Sequence, residues 1–329
     1  MLTSRRRRFV GSRTLTTSLA LAASVALAAA PSAAAESTAE ADGTIAVSSL
    51  GSTNSMTGSA AGSLGSLASP AYAEYVALGD SYAAFGNQSK QAGFTPAGCG
   101  QSLTNYPKVL SANPAIGELS DVTCGGAEIP NLAGDQTVAT PPGVASPQFA
   151  ALSAGTDLVT LSIGGNDVGF ASIVGCIIKQ APFAETPNCE DAIGAGIAAD
   201  IAETFGEGGE VDDVYAAIKT KSPNAKVIAT RYMPLMPAAG ISCEFTNNLN
   251  PLDVAWAREV TEDINAAVHA AATRNGHTSV LPMDASDRSA CAAPDKRWTS
   301  FMGAIDDAAP FHPTALGQEA MAAAITSAL

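Results

Sequence analysis

The chain is poor in histidine, in basic residues and in aromatic rings. Three histidines (His269, His277, His312) occur in 329 residues, 17 Lys and Arg stand against 31 Asp and Glu, and aromatic side chains make up 5%. So few histidines leave a short search for a general base. Basic residues are scarcer still in the body, because Arg5, Arg6, Arg7, Arg8 and Arg13 lie within the first thirteen positions; without residues 1–35, 12 basic face 31 acidic residues. A surface so negative repels a phosphate backbone, which argues against nucleic acid as a partner. The low aromatic content does not signal disorder, since a hydrophobic share of 47% supplies a core. No apolar run reaches the roughly 20 residues that span a bilayer. No cysteine sits in a C-x-x-C pair or beside a histidine, which disfavours zinc, and no dedicated metal-loop motif is present. With no phosphate-binding loop or dinucleotide fingerprint either, neither a metal nor a nucleotide cofactor is expected.

The N-terminus carries an export signal. Arg5 to Arg8 form a cationic start, residues 15–30 (LTTSLALAASVALAAA) an apolar stretch, and Ala33-Ala34-Ala35 the small residues of a cleavage site. Sixteen residues diluted by Thr and Ser are too short for a membrane anchor. Arg6-Arg7-Arg8-Phe9-Val10 also fits a twin-arginine pattern. Residues 1–35 are therefore expected to be a signal peptide, and 36–73, rich in Ser, Gly, Ala and Thr, a flexible linker or propeptide. Residues 74–329 are enough for one domain with a substantial core. The mature protein is expected to be secreted, monomeric and free of an integral membrane segment.

Six cysteines (Cys99, Cys124, Cys176, Cys189, Cys243, Cys291) in an exported protein imply disulfides, whose pairing the count alone leaves open. The element pattern alternates. Short apolar strands are expected at Glu74–Leu78, ending near Asp121–Thr123, at Asp157–Ile163, Lys226–Arg231 and Thr278–Leu281, with helices at about 190–205, 209–221, 253–274 and 314–328. Strands separated by helices argue for a parallel sheet with right-handed crossovers, whose ligands bind beyond the carboxyl ends of the strands.

Three strand ends carry polar, glycine-rich groups. The first runs into Gly79-Asp80-Ser81-Tyr82, where Ser81 would stand at a helix start with its hydroxyl at the sheet edge. The second runs into Cys124-Gly125-Gly126-Ala127, where bare backbone amides can approach a ligand, and the third into Gly164-Gly165-Asn166-Asp167, where Asn166 offers a side-chain amide. Taken singly, these are a helix cap, a glycine turn and another cap. Together they supply what acyl transfer requires, a nucleophile and donors for an oxyanion. Of the histidines, His269 falls inside a helical run and His277 in the loop after it. His312, stiffened between Pro310 and Pro313 just before the last helix, is the candidate base. Asp80 and Asp167 are assigned structural roles, and Trp256, Trp298 and Phe311 core or cleft-wall positions.

These residues resemble the SGNH or GDSL hydrolases, and the resemblance spans nearly all of residues 74–329. Gly79 to Tyr82 resembles the family's first block with its nucleophilic serine, Gly126 matches the second, Gly164 to Asp167 the third, and His312 the last. Tyr82 and the six cysteines are most similar to those of secreted actinobacterial lipases and esterases. The resemblance implies a three-layer α/β/α sandwich with a parallel central sheet, catalytic Ser81 and His312, and an oxyanion hole of Ser81, Gly126 and Asn166. It also implies disulfides Cys99–Cys124, Cys176–Cys189 and Cys243–Cys291. Each bridge would stabilise by about 2–4 kcal/mol, mainly by restricting the unfolded chain. One position departs from the pattern: the aspartate three residues before the histidine is Ala309 here. A main-chain carbonyl, that of Ala309 or Pro310, is expected to orient the imidazole, with Asp306 and Asp307 as acidic rivals.

The expected activity is that of a serine esterase or lipase on small-molecule or lipid acyl esters, from triglyceride or phospholipid. A carbohydrate acetylesterase is the alternative, and a binding protein that has lost catalysis a third reading. The α/β-hydrolases are disfavoured, because Gly-Xaa-Ser-Xaa-Gly occurs nowhere in the chain.

Overall fold

A computed structural model of the chain describes residues 69–94, 96–179 and 187–329. The expected signal peptide and nearly all of the expected linker lie outside the described residues.

The first half holds strand β1 (Tyr72–Gly79), helix α1 (Ser81–Ala84), α2 (Tyr106–Leu110), β2 (Ile116–Asp121), α3 (Pro130–Ala133), the hairpin strands β3 (Gln136–Ala139) and β4 (Pro142–Ala145), and β5 (Leu158–Ser162). There follow α4 (Phe170–Lys179), a π-helical turn at Glu190–Gly194, α5 (Ala195–Phe205), α6 (Glu210–Lys221), β6 (Lys226–Thr230), α7 (Glu244–Asn247) and α8 (Pro251–Arg274). The chain closes with β7 (Thr278–Val280), the short pair β8 (Thr299–Ser300) and β9 (His312–Pro313), and α9 (Ala315–Thr326).

Five strands form one parallel sheet in the order β2-β1-β5-β6-β7. The fold class is the three-layer α/β/α sandwich. Side chains alternate across a strand, and here the alternation feeds two cores. Val76, Leu78, Val159, Leu161, Val227 and Ala229 face one layer, with Ile197 of α5, Val214 and Ile218 of α6 and Trp256 and Val260 of α8. Tyr75, Ala77, Leu158 and Ile228 face the other, with Tyr106 and Leu110 of α2 and Met321, Ala322 and Ile325 of α9. A sheet covered on both faces reads as continuous apolar runs, which is why the sequence LVTLS of β5 is buried throughout.

The chain leaves β1 toward β2 on one side and returns to β5 on the other. This reversal is the topological switch point, where a crevice opens beyond the strand ends. Ser81 follows β1 and Asn166 follows β5, so both lie at that crevice.

Three details differ from the sequence reading. β1 starts at Tyr72, two residues inside the expected linker, because Tyr72 pairs with Ile116 and its hydroxyl donates to Leu329 O at 3.1 Å. Helix α4 lies outside the expected helices; its β-branched Ile and Val and its Gly175 are weak helix formers, so propensity does not announce it. The antiparallel hairpin β3–β4 has strands of only four residues, too short for a period to show.

All six cysteines are paired, as Cys99–Cys124, Cys176–Cys189 and Cys243–Cys291, with sequence separations of 25, 13 and 48 residues. The first ties the loop after α1 to the end of β2, and the second ties α4 to the turn that precedes α5. No helix among the described residues is long and apolar enough to cross a membrane.

Candidate active site

The turn that presents Ser81 is built from its neighbours. Gly79 has φ +146°, and a Cβ there would lie 2.4 Å from Ser162 O, so only glycine lets β1 pass β5 this closely before turning. The Gln148 amide brackets it, Oε1 accepting from Gly79 N–H at 2.7 Å and Nε2 donating to Gly79 O at 3.0 Å. Asp80 is the N-cap of α1; its Oδ1 accepts from Tyr82 N–H at 2.9 Å and from Ser162 Oγ at 3.0 Å. Cap and candidate nucleophile are therefore separate residues, and the Ser81 hydroxyl has no capping duty. It meets His312 Nε2 at 2.8 Å.

His312 is held at its other nitrogen by Pro310 O, 2.6 Å from Nδ1. A carbonyl only accepts, so Nδ1 carries the proton and Nε2 presents its lone pair to Ser81. Of the two carbonyls expected as candidates, Ala309 and Pro310, it is Pro310 O that meets Nδ1; Ala309 O, one residue earlier, accepts the His312 backbone N–H at 3.2 Å. Neither acidic rival touches the imidazole. Asp306 takes a bidentate grip from Arg297, at 2.6 and 2.9 Å, and Asp307 binds Ser89 through its N–H and its hydroxyl. Between Pro310 and His312, Phe311 adopts φ +62°, an uncommon backbone for a bulky residue. Its N–H donates to Ser300 O at 2.7 Å and its carbonyl accepts from Tyr82 OH at 3.1 Å, which hold the turn. The imidazole packs among the rings of Phe85, Tyr82 and Phe170, with centroids at 4.9, 5.5 and 5.9 Å. Desolvation in this apolar setting drives its pKa down to about 4, opposed by the Pro310 carbonyl.

The second and third strand ends converge on the same crevice. Asn166 Nδ2 donates one hydrogen to Ala127 O at 2.8 Å and keeps another, and Asp167 Oδ1 accepts Ile129 N–H at 2.9 Å. Consecutive residues of one loop thus fix the loop that contains Gly126. That loop is also tied back through Cys124 N–H to Gly79 O at 2.9 Å. Gly126 has φ +74°, left-handed backbone that suits glycine. Among the described residues, the amide N–H groups of Ser81 and Gly126 have no hydrogen-bond partner. Burial pushes the carboxyl of Asp80 up to about 6 and that of Asp167 likewise to about 6.

An apolar pocket enclosing about 830 Å³, open mouth included, runs from Ser81 and Asn166 between α4 and α8. Phe170, Ile173 and Ile177 form one wall, Val260 and Ile264 the other, and Met236 and Phe311 also line it. Two sets of these residues carry no clear signal in the sequence: the α4 wall, on a helix that propensity does not announce, and Tyr232, which follows β6. Tyr232 OH donates to Asp80 Oδ2 at 2.8 Å and accepts from Gly165 N–H at 2.8 Å. A strand-end position after KVIAT was its only signal. The structure leaves His269 on the exposed face of α8, against Ser279, and His277 against Tyr215, both away from Ser81. Trp256 and Trp298 are buried core residues. Among the described residues no cluster of His, Cys, Asp and Glu is arranged to hold a metal.

The model of the GDSL-like Lipase/Acylhydrolase family matches residues 77–320, from the middle of β1 to α9. The chain belongs to this family. It is therefore a carboxylic-ester hydrolase of the lipase and esterase type. It is 37% identical over 258 residues to Lipase 2 of Streptomyces coelicolor, covering 76% of this chain and 83% of the relative. It is 29% identical over 259 residues to Lipase 1 of the same organism, covering 76% and 85%. Its structure is similar to that of an extracellular lipase from Streptomyces rimosus, with a TM-score of 0.61 and 26% identity over 78% of this chain and 100% of that one. A phospholipase A1 from Streptomyces albidoflavus, at TM-score 0.53 and 24% identity over 78% and 99%, shares the fold.

Proposed function

We propose that the protein is a secreted lipase or esterase that works through an acyl-enzyme on Ser81. His312 Nε2 removes the Ser81 proton as Oγ attacks the ester carbonyl, and Pro310 O steadies the imidazolium that forms. The observation that carries this reading is the 2.8 Å contact between Ser81 Oγ and His312 Nε2 at the mouth of an apolar pocket. The N–H groups of Ser81 and Gly126 and the free hydrogen of Asn166 Nδ2 receive the oxyanion, each donor contributing about 3–4 kcal/mol. The imidazolium returns its proton to the departing alkoxide. Water, deprotonated by His312, then releases the acid and restores Ser81.

The pocket favours a lipid acyl ester over an acetylated polysaccharide. Its walls are aliphatic, and each methylene buried in such a wall is worth about 0.8 kcal/mol. Export rests on the cationic and apolar segments of residues 1–35 and on the extracellular lipase that the fold resembles. Chain-length profiling with p-nitrophenyl esters, using Ser81→Ala as the blank, tests both parts. The expected result is no turnover by the variant and a preference of the native enzyme for chains longer than acetyl. Turnover by Ser81→Ala at the native rate overturns the mechanism, and a preference confined to acetyl favours the carbohydrate reading.

A further inference from the structure

We propose that Tyr232 is a positioning residue that locks the loop carrying Ser81 to the loop carrying Asn166 through a single buried hydroxyl. The inference rests on the acyl-enzyme reading above and adds to it a residue from a third strand end.

The phenol has one proton to give and a lone pair to offer, and both are used. The proton goes to Asp80 Oδ2 at 2.8 Å, on the residue that caps the helix begun by Ser81. The lone pair takes Gly165 N–H at 2.8 Å, the residue before Asn166. Carboxylate and amide have opposite polarity, so no apolar side chain and no purely donating group could replace the hydroxyl. Little slack exists around it: a Cβ on Gly165 would stand 2.9 Å from the Tyr232 hydroxyl. The tyrosine is fixed behind as well. Its backbone N–H donates to Asn265 Oδ1 at 2.7 Å, and its carbonyl accepts from Asn265 Nδ2 at 2.8 Å, so α8 holds it by both groups. Its ring meets that of Tyr82 edge-on at 5.1 Å.

The carboxyl ends of β1, β5 and β6 are therefore joined at one atom directly behind the crevice. An oxyanion hole acts through donors held in place before the charge develops. Its donors here come from different strand ends, the Ser81 amide after β1 and the Asn166 amide after β5. Their separation depends on whatever couples those two loops on the far side from the substrate. Besides Tyr232, Asp80 faces the N–H of Tyr82 on α1, Ser162 on β5 and the charge of Asp167, with His312 across Ser81.

The test is Tyr232→Phe, which keeps the ring in the pocket wall and removes only the hydroxyl. With p-nitrophenyl butyrate, kcat is expected to fall about 10- to 100-fold, the scale of a small misplacement of reacting groups, while KM stays unchanged. The acid limb of the kcat profile should also move to higher pH, because the Asp80 carboxylate loses a hydrogen bond that stabilises its anion. Native kcat with a native pH profile overturns the proposal. So does a raised KM at native kcat, which would make the ring a pocket wall and nothing more. If Tyr232→Phe does not fold, Asn265→Ala decides: on the half-buried face of α8, it frees the Tyr232 backbone and leaves the hydroxyl network chemically intact. A several-fold loss of kcat at unchanged KM supports the proposal, and native kcat overturns it. Ser81→Ala separates the two levels. Activity retained in that variant refutes the acyl-enzyme reading itself, whereas a dead Ser81→Ala beside a native-like Tyr232→Phe refutes the positioning role alone.

Discussion

Pro310 O lies 2.6 Å from Nδ1 of His312, two residues along the same turn. The proposed base is thus oriented by its own backbone, and the position held by an acid in the family pattern is Ala309. The turn is formed by Phe311 at φ +62° and pinned by Ser300 and Tyr82, and in the proposed mechanism this carbonyl stands where a carboxylate would otherwise orient the ring.

Asp307→Asn should accordingly leave kcat within about threefold of native, since Asp307 acts only on the Ser89 loop at the surface. Asp306→Asn should also spare the chemistry but lower Tm. Asp306 is buried against Arg297, and breaking such a pair costs about 3 kcal/mol. Steady-state kinetics and calorimetry of the two variants check this. A loss of several orders of magnitude in kcat from either would show that an acid, and not the carbonyl, serves the histidine.

Two groups at the site titrate against each other's direction. Desolvation lowers His312 from 6.5 to about 4, so the stability it contributes is present above 6.5 and is lost as pH falls through about 4. Burial raises Asp80 from 3.8 to about 6, so its contribution is present below 3.8 and is lost as pH rises through about 6. The imidazole remains neutral throughout the range in which Asp80 gains its proton. Activity should therefore decline as pH falls through about 6, where the Asp80 carboxyl gains a proton and turns one of its two accepting oxygens, shared among Tyr82, Ser162 and Tyr232, into a donor, rather than near 4. Asp80→Asn should lower kcat but move that limb downward. Its Tm relative to native should rise by more above pH 6 than below it, with up to about 3 kcal/mol of stability at stake in the rise from 3.8 to about 6. An acid limb that stays in place in Asp80→Asn assigns it to another group.

The acyl pocket gives a third expectation. Ile177 on α4 and Val260 on α8 are buried on facing walls. Ile177→Trp should fill the space between them and shorten the chain the pocket accepts. Denying two or three methylenes their burial removes about 2 kcal/mol, about a thirtyfold loss in kcat/KM for a twelve-carbon ester. The butyrate ester should be hydrolysed as before. Equal losses for both esters would place the acyl chain elsewhere.

What the sequence disclosed follows from what each feature depends on. The inner strands β1, β5 and β6 carry buried apolar runs whose signal is local, and the turns at Ser81, Gly126 and Asn166 announce themselves by glycine and polar residues at strand ends. His312 stood out because only three histidines exist. Features made by tertiary packing were not legible. Helix α4 mixes β-branched Ile and Val with Ala, Ser and Gly, so propensity alone does not announce it, and its inward face and its Cys176–Cys189 bridge are tertiary features. The choice between Ala309 and Pro310 turns on a left-handed Phe311, a conformation that sequence does not announce in a non-glycine residue. The hydroxyl of Tyr232 takes its place from partners 152 and 67 residues away, Asp80 and Gly165, which no local pattern announces.

The proposed oxyanion donors differ in how they can be removed, and this separates them experimentally. Asn166→Ala deletes a side-chain donor and also frees Ala127 O, so kcat should fall about 10²- to 10³-fold with KM little changed. Gly126 donates through its backbone and cannot be deleted, but it can be strained. A Cβ there meets only Gln136 Nε2, at 3.9 Å, so Gly126→Ala has room for its methyl, and its cost is conformational. At φ +74° that cost is about 1–2 kcal/mol. The variant should therefore fold with a modestly lowered Tm and relax its loop, withdrawing the amide from the crevice and lowering kcat less than Asn166→Ala does. If the two donors serve one oxyanion, the double variant should lose less than the product of the single losses, because a hole already opened has less to lose. Strict multiplication of the two effects would mean that Gly126 acts apart from Asn166 and that its amide is not a donor to the same oxygen.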